Sequence, residues 1–140
     1  MAAFNKFNSF VEALAEKKHD LGADVLKVML TNSAPLATNT VKANLTEITA
    51  GNGYTAGGAT ASITSSTQTS GTYKLVLGDP ATWTAAGGSI GPFRYAVLYN
   101  DTATNDELIG WWDYGSSLTL ATGESFAVDF DPTTGVLTIA

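Results

Sequence analysis

One histidine, His19, and a small set of carboxylates are the side chains in this sequence with acid–base chemistry to offer near neutral pH. There is no cysteine. A histidine acting as general base needs a nucleophile within hydrogen-bond reach and a third group to orient the ring. Nothing in the sequence nominates either partner. His19 is instead expected in the last turn of an N-terminal helix, where a histidine stabilises the helix dipole. Asp113, Glu124, Asp129 and Asp131 are the candidates for a glycosidase-type pair, which needs two carboxylates flanking a sugar bond. Asp129 follows the outward face of a strand and Asp131 opens a turn with Pro132, so surface roles account for both. No catalytic residue is assigned, and the chain is expected not to be an enzyme.

Three further clusters carry some chemical promise. The run Asn100-Asp101-Thr102-Ala103-Thr104-Asn105-Asp106-Glu107 is dense in hard oxygen donors of the kind Ca²⁺ takes, but it lacks EF-hand spacing. It reads better as a hairpin loop in which Asn and Asp satisfy backbone groups. Gly51-Asn52-Gly53-Tyr54-Thr55-Ala56-Gly57-Gly58 is glycine-rich enough to cradle a phosphate. The following Lys-Ser/Thr pair and the strand–loop–helix context are missing, so it reads as an irregular loop needing positive φ. Trp83, Trp111 and Trp112, with the tyrosines, could form a sugar-stacking platform. Trp111 and Trp112 are adjacent on an expected strand and therefore face opposite sides. One suits the core, and the other must lie under a cover, in an interface or in a ligand site. No metal ligand set and no cofactor are assigned.

The elements that would hold these residues are mostly strands. Helical periodicity is clear only near the start, where Phe7, Phe10, Val11 and Leu14 fall on one face. The spacing predicts a helix over about Asn5–Lys18. Ser9 with Glu12, or Asn5, would start it, Lys17 and Lys18 would sit at its negative end, and Gly22 would close the region. Val25–Thr31 reads as a strand, and residues 36–58 as a long irregular stretch with one helical turn near Leu45–Ile48. A loop that long in a compact domain usually has a job. Short strands then follow near Thr60–Thr64, Thr72–Leu77, Ala81–Ala86, Phe93–Tyr99, Glu107–Trp112, Leu118–Leu120, Ser125–Phe130 and Val136–Ile139, with turn residues between them. In Ser125–Phe130, Phe126, Val128 and Phe130 alternate with Asp129, the mark of a half-exposed antiparallel strand. Phe93–Tyr99 and Leu108–Trp112 are apolar on both faces, so each needs a core on one side and a cover on the other. The helix stripe is the natural cover. The expected fold is all-β and mainly antiparallel: a jelly-roll-like sandwich in one domain, 1–140, with residues 1–22 as a helical segment packed on it.

Composition narrows the class of partner. The 140 residues carry a formal net charge of −6, with only seven Lys and Arg. Those seven are scattered, so no dense basic face exists for nucleic acid or an anionic membrane. Charged residues make up 14% of the chain, well under the ~25% typical of soluble domains. Thr, Ser, Asn and Gly must supply the polar surface, a composition suited to flat, permanent contacts. No apolar run approaches the ~20 residues of a membrane span, and no signal peptide is read at the N-terminus. The lack of cysteine fits folding in a reducing cytoplasm.

Several segments together resemble small virion proteins. They are Phe4-Asn5-Lys6-Phe7-Asn8-Ser9-Phe10-Val11-Glu12-Ala13-Leu14-Ala15, Leu26-Lys27-Val28-Met29-Leu30-Thr31-Asn32-Ser33-Ala34-Pro35, Leu45-Thr46-Glu47-Ile48, Gly51-Asn52-Gly53-Tyr54 and Leu120-Ala121-Thr122-Gly123-Glu124-Ser125-Phe126. The chain is similar along nearly its whole length to the head decoration, or cement, proteins of tailed double-stranded DNA phages, including that of a short-tailed Bordetella phage. The resemblance implies a jelly-roll sandwich on the outer capsid surface of the virion, made in the bacterial host cytoplasm. It also implies a homodimer on the capsid and a major capsid protein as partner, whose neighbouring subunits the chain would clamp. No family site residues transfer with it. The regions left over by the strand pattern, the N-terminal segment and the Pro35–Gly58 loop, supply the expected contacts: Phe4, Lys6, Pro35, Leu36, Asn52 and Tyr54. The competing expectation is a tail or receptor-binding sandwich that recognises carbohydrate.

Overall fold

Alternating apolar and polar residues fold the chain, described over residues 2–140 in a computed structural model, into short antiparallel strands around one shared core. Five strands form the larger sheet in the order β1-β8-β7-β2-β3: Asn5–Lys6, Leu108–Leu120, Ile90–Asn100, Leu26–Thr31 and Ala59–Thr60. Against it lie a three-stranded sheet, β10-β5-β4 (Leu137–Ile139, Thr72–Leu77, Ile63–Thr69), and a two-stranded ribbon, β6-β9 (Trp83–Thr84, Ser125–Phe126). Leu26, Val28, Leu30 and Leu98 from the large sheet meet Leu75, Leu77, Trp83 and Phe130 from the opposing layer to make the core. The expected sandwich is therefore present. The pairings β7–β8 and β4–β5 join chain neighbours as hairpins, while β2–β7 joins strands distant in the chain, and this strand order does not establish a jelly roll.

The doubly apolar strands are covered on both faces. Lys27↔Tyr99, Val28↔Leu98 and Met29↔Val97 fix the β2–β7 register. That register sends Val28 and Leu98 into the core and Met29, Val97 and Tyr99 to the other side. There they form a second buried cluster with Phe7 and Leu108, flanked by Leu45 and Trp111. The cover differs from the expected helix. Phe7, just ahead of the helix, and Leu45, from the irregular stretch, do most of the covering.

The N-terminal helix is shorter than its periodicity suggests. Helix α1 spans Ser9–Ala15. Asn5 and Lys6 instead pair with Trp111 and Gly110 as an edge strand. Gly110 makes this possible, because a Cβ there would come within 2.2 Å of the Phe4 ring. The N-cap position is Asn8, with no side-chain cap, so neither Ser9 nor Asn5 fills that role. Lys17, at φ 65°, closes the helix where Gly22 was expected to. Its N–H donates to the Leu14 carbonyl and that of Lys18 to the Ala13 carbonyl, the paired bonds of a Schellman end. Val11, expected in the buried stripe, is 53% exposed, while Ala13 is buried.

Strand boundaries moved where turns are internal to a strand. The expected strands at Glu107–Trp112 and Leu118–Leu120 are one strand, β8. Between the pairs Tyr95↔Asp113 and Phe93↔Leu118 it bulges, and Gly115 (φ 104°) turns the bulge without ending the strand. The expected Thr60–Thr64 strand is split between two sheets, β3 and β4. Ser125–Phe130 keeps its alternation, with Ala127 and Asp129 exposed and Phe130 buried. Only Ser125–Phe126 is laddered, and the Phe130 N–H donates to Asp79 Oδ1 at 2.7 Å.

Candidate functional site

The irregular stretch from Pro35 to Gly58 is fastened to the large sheet from behind. Glu47 is the fastening point. Its Oε1 accepts from the Tyr54 hydroxyl at 2.7 Å and from the Gly57 N–H at 2.6 Å, and its Oε2 takes Lys42 Nζ at 3.1 Å. The Tyr54 oxygen in turn accepts the Leu30 N–H at 3.1 Å, and the Tyr99 hydroxyl donates to the Gly57 carbonyl at 2.6 Å. Burial, together with the bond to Glu47, pushes the Tyr54 hydroxyl far above its ordinary range, so it stays protonated as a donor. Tyr99 is raised in the same direction, chiefly by burial and then by Asp101. Backbone bonds complete the attachment: Ile48 N–H to Leu30 carbonyl, Lys42 N–H to Asp106 carbonyl and Leu108 N–H to Thr40 carbonyl. Gly58 lies so close to β2 that a Cβ would sit 1.9 Å from the Val28 carbonyl oxygen. Asn52-Gly53 (φ 56° and 106°) forms a two-residue turn between Gly51 and Tyr54.

The expected contact residues divide cleanly. Lys6, Leu36 and Asn52 present exposed side chains, and Leu36 is 62% exposed. Asn52 also ties its own loop to the next, donating to the Ser89 carbonyl at 3.1 Å. Pro35 and Tyr54 are buried, and the Tyr54 side chain is taken up in anchoring the loop. Phe4 is half-buried against Trp112, with ring centroids 5.4 Å apart.

On the inner face of the sheet, the two layers part around Trp112. They leave a groove of about 480 Å³ lined by Phe4, Trp112, Tyr114, Phe126, Val128 and Phe130, with Arg94 and Asp129 among its polar residues. Trp112 and Tyr114 lie two residues apart on β8 and so share a face. Tyr114 is 56% exposed and meets Phe126 edge-on at 5.7 Å. Close by, Arg94 grips Asp113 through two bonds, 2.8 and 3.0 Å. That grip, with the Gly115 N–H, holds the Asp113 carboxyl below the usual carboxylate range. The sequence singled out Trp112, took in Tyr114 only with the tyrosines as a group, marked Phe126 as an inward residue of its strand and assigned Glu47 no role. The i, i+2 spacing on one strand was the available signal for Tyr114.

Of the acid–base candidates, Asp129 and Asp131 line the groove and Asp113 is held by Arg94 of its lining, while Glu124 and His19 are not among the lining residues. Asp131 accepts the Thr133 N–H at 2.7 Å and is lowered by that bond first and by Thr134 second. Glu124 accepts the Ala121 N–H at 2.7 Å. His19 is not in the last helical turn, because the helix ends before it. It is 5% exposed under Phe10, its Nδ1 is 3.0 Å from Asn100 Nδ2, and its Nε2 has no hydrogen-bond partner among the described residues. Desolvation lowers its pKa, outweighing the opposing pull of Glu107 and Asp24. In the loop after Asn100, Asn100 Oδ1 accepts the N–H groups of Thr102 and Ala103, and Glu107 Oε2 accepts that of Asn105. These side chains organise a hairpin loop, as its composition suggested.

No family model, curated protein or solved structure was found to match this chain.

Proposed function

We propose that the chain is a structural virion protein that binds the outer surface of a phage head and stabilises it by clamping neighbouring major capsid protein subunits. The observation that carries this reading is the excursion over residues 32–58. In a chain of net charge −6, its only charged residues are Lys42 and Glu47, which neutralise each other at 3.1 Å. The excursion is locked from behind by the buried Tyr54, while Leu36, Ala43, Asn44 and residues 49–53 face solvent. A rigid, neutral surface gives up little conformational entropy and little charge solvation on docking. Repetition over a lattice then turns modest contacts into firm attachment. The resemblance of the sequence to head decoration proteins points the same way. Co-sedimentation with empty heads tests the reading. The wild-type chain should pellet with the heads, and Leu36→Glu should lower its occupancy at unchanged thermal midpoint. A chain that stays in the supernatant at every concentration contradicts it.

The groove favours a second reading, recognition of carbohydrate. Trp112, Tyr114 and Phe126 offer ring faces and edges beside polar Arg94 and Asp129, the combination that takes up a sugar ring. On a glycan array this reading expects binding that disappears with Tyr114→Ala. A blank array with the folded chain removes it.

A further inference from the structure

The three-stranded sheet ends on β4, and no strand among the described residues pairs with its outer side. The β4–β5 hairpin turns at Ser70-Gly71 (φ 52° and 85°), with Thr69↔Thr72 as the closing pair. In such a two-residue hairpin the closing pair is hydrogen-bonded, and bonded pairs then alternate. Thr67↔Lys74 and Ser65↔Val76 are therefore bonded across the hairpin. Ser66 and Gln68, between them, turn their backbone N–H and C=O groups away from β5, and no backbone partner takes them up. Exposed edges normally carry a Lys, a Pro or another device that discourages pairing. The seven residues of β4, Ile63-Thr64-Ser65-Ser66-Thr67-Gln68-Thr69, carry no charge and no proline, and their one irregularity lies at the start, between Ile63 and Ser65. The other sheet edges are shorter: β1 and β3 have two residues each and β10 has three.

We propose that β4 is a self-association edge, on which two copies of this chain pair antiparallel about a twofold axis at Thr67 and join their three-stranded sheets into one. This register sets Ser66 opposite Gln68 of the second copy and Gln68 opposite Ser66 of the second copy. Each is a bonded pair, giving about four backbone hydrogen bonds. Thr67 meets its own counterpart on the axis, and Ser65 meets Thr69. Hydroxyl pairs of this kind are favourable across strands. A second copy is the occupant that fits, because two chains of net charge −6 repel least where both are neutral. A strand of Thr, Ser and Gln also offers no pocket to an apolar peptide. One strand pair buries far less than the ~1,200 Å² of stable interfaces, so the dimer forms at high micromolar concentration. The resemblance implies a homodimer on the capsid, and this edge gives such a pairing a surface; because the contact is measured in solution on the chain alone, its failure leaves the capsid and carbohydrate readings untouched.

Sedimentation equilibrium up to about 1 mM, with amide exchange followed by NMR over the same range, tests it. Monomer–dimer exchange is expected. Protection at the Ser66 and Gln68 amides should rise with concentration, while that of Thr67, already bonded to β5, should not. Thr67→Lys places like charges on the axis and should weaken association by roughly tenfold or more. Mixing Thr67→Lys with Thr67→Glu should restore it. A chain monomeric at about 1 mM overturns the proposal, as does a dimer whose protection maps elsewhere or that Thr67→Lys leaves intact. Should Thr67→Lys fail to fold, the concentration dependence of exchange in the unaltered chain decides alone.

Discussion

Trp111 and Trp112 are neighbours in β8 and face opposite sides of one sheet, and the two sides are finished differently. Trp111 lies against Phe7, with ring centroids 4.5 Å apart, at the margin of a closed cluster. Over that side the chain has laid its N-terminal segment and the 36–58 excursion, fastened by Glu47 and Tyr54. Trp112 lies against Phe4 and Phe130 but keeps an open groove in front of it. Covering one face with loop took a half-buried carboxylate and the hydroxyls of two buried tyrosines to satisfy the backbone that came with it. The other face is covered by the second layer of strands, which parts around Trp112 and leaves only that part of it open. The closed side thus presents the outer surface to which the docking role is proposed, and the other side presents a concavity.

The sharpest way to break this contrast is to remove the closing residue. Phe7→Ala should cost about 3–5 kcal/mol, because its completely buried ring has no neighbour to replace it. The thermal midpoint should fall by roughly 10–15 °C in calorimetry. A fall of only a degree or two would mean that the second cluster is not a core. Next comes the fastening. Glu47→Ala strips a partner from the Tyr54 hydroxyl, the Gly57 N–H and Lys42 at once, and should cost about 2–3 kcal/mol. Its signature is local, with faster amide exchange across residues 46–58 than in β7. Uniform loss across the chain would contradict a loop held by Glu47.

Acid probes the joint where the N-terminal segment meets the β7–β8 loop. His19 is buried there with Asn100, Asp24, Glu107 and Lys18 around it, and its folded pKa lies below 6.5. Below pH 6.5 the unfolded chain therefore binds the proton first. Stability should decline as pH falls from about 6.5 through the lower folded pKa, then level. Asp113 and Asp131, lowered in the fold, add a separate loss only near and below their ordinary value of 3.8. Denaturant titrations at several pH values should show the first slope, and His19→Phe should abolish it while leaving the acid limb. The smallest effect belongs to the open side. Tyr114→Ala should change stability by no more than about 0.5 kcal/mol, since the ring is mostly in solvent. A large loss would make the groove a part of the core.

Much of this architecture was legible in the sequence, and the failures have physical causes. Alternation and doubly apolar runs placed β2, β5 and β7, because their side chains report burial directly. The helix was overextended because Asn5 and Lys6 pair with β8, a partner more than a hundred residues away. Strand β4 left little trace, since an edge of Ser, Thr and Gln has no apolar rhythm to read. The same remoteness hid Glu47, whose role depends on Tyr54 and Gly57 being folded back over β2. Tyr54 looked like a contact residue by position and proved to be an anchor. What the loop composition did convey was its neutrality, and that property supports the proposed docking role.

The most direct test of the proposed capsid role is cryo-electron microscopy of tailed-phage heads purified with and without this chain. The account predicts sandwich-shaped density on the outer shell, bridging neighbouring major capsid protein subunits, with Leu36 and the Asn52-Gly53 turn facing the lattice. Fully resolved heads with a bare outer surface, and the chain absent from their protein content, would contradict it.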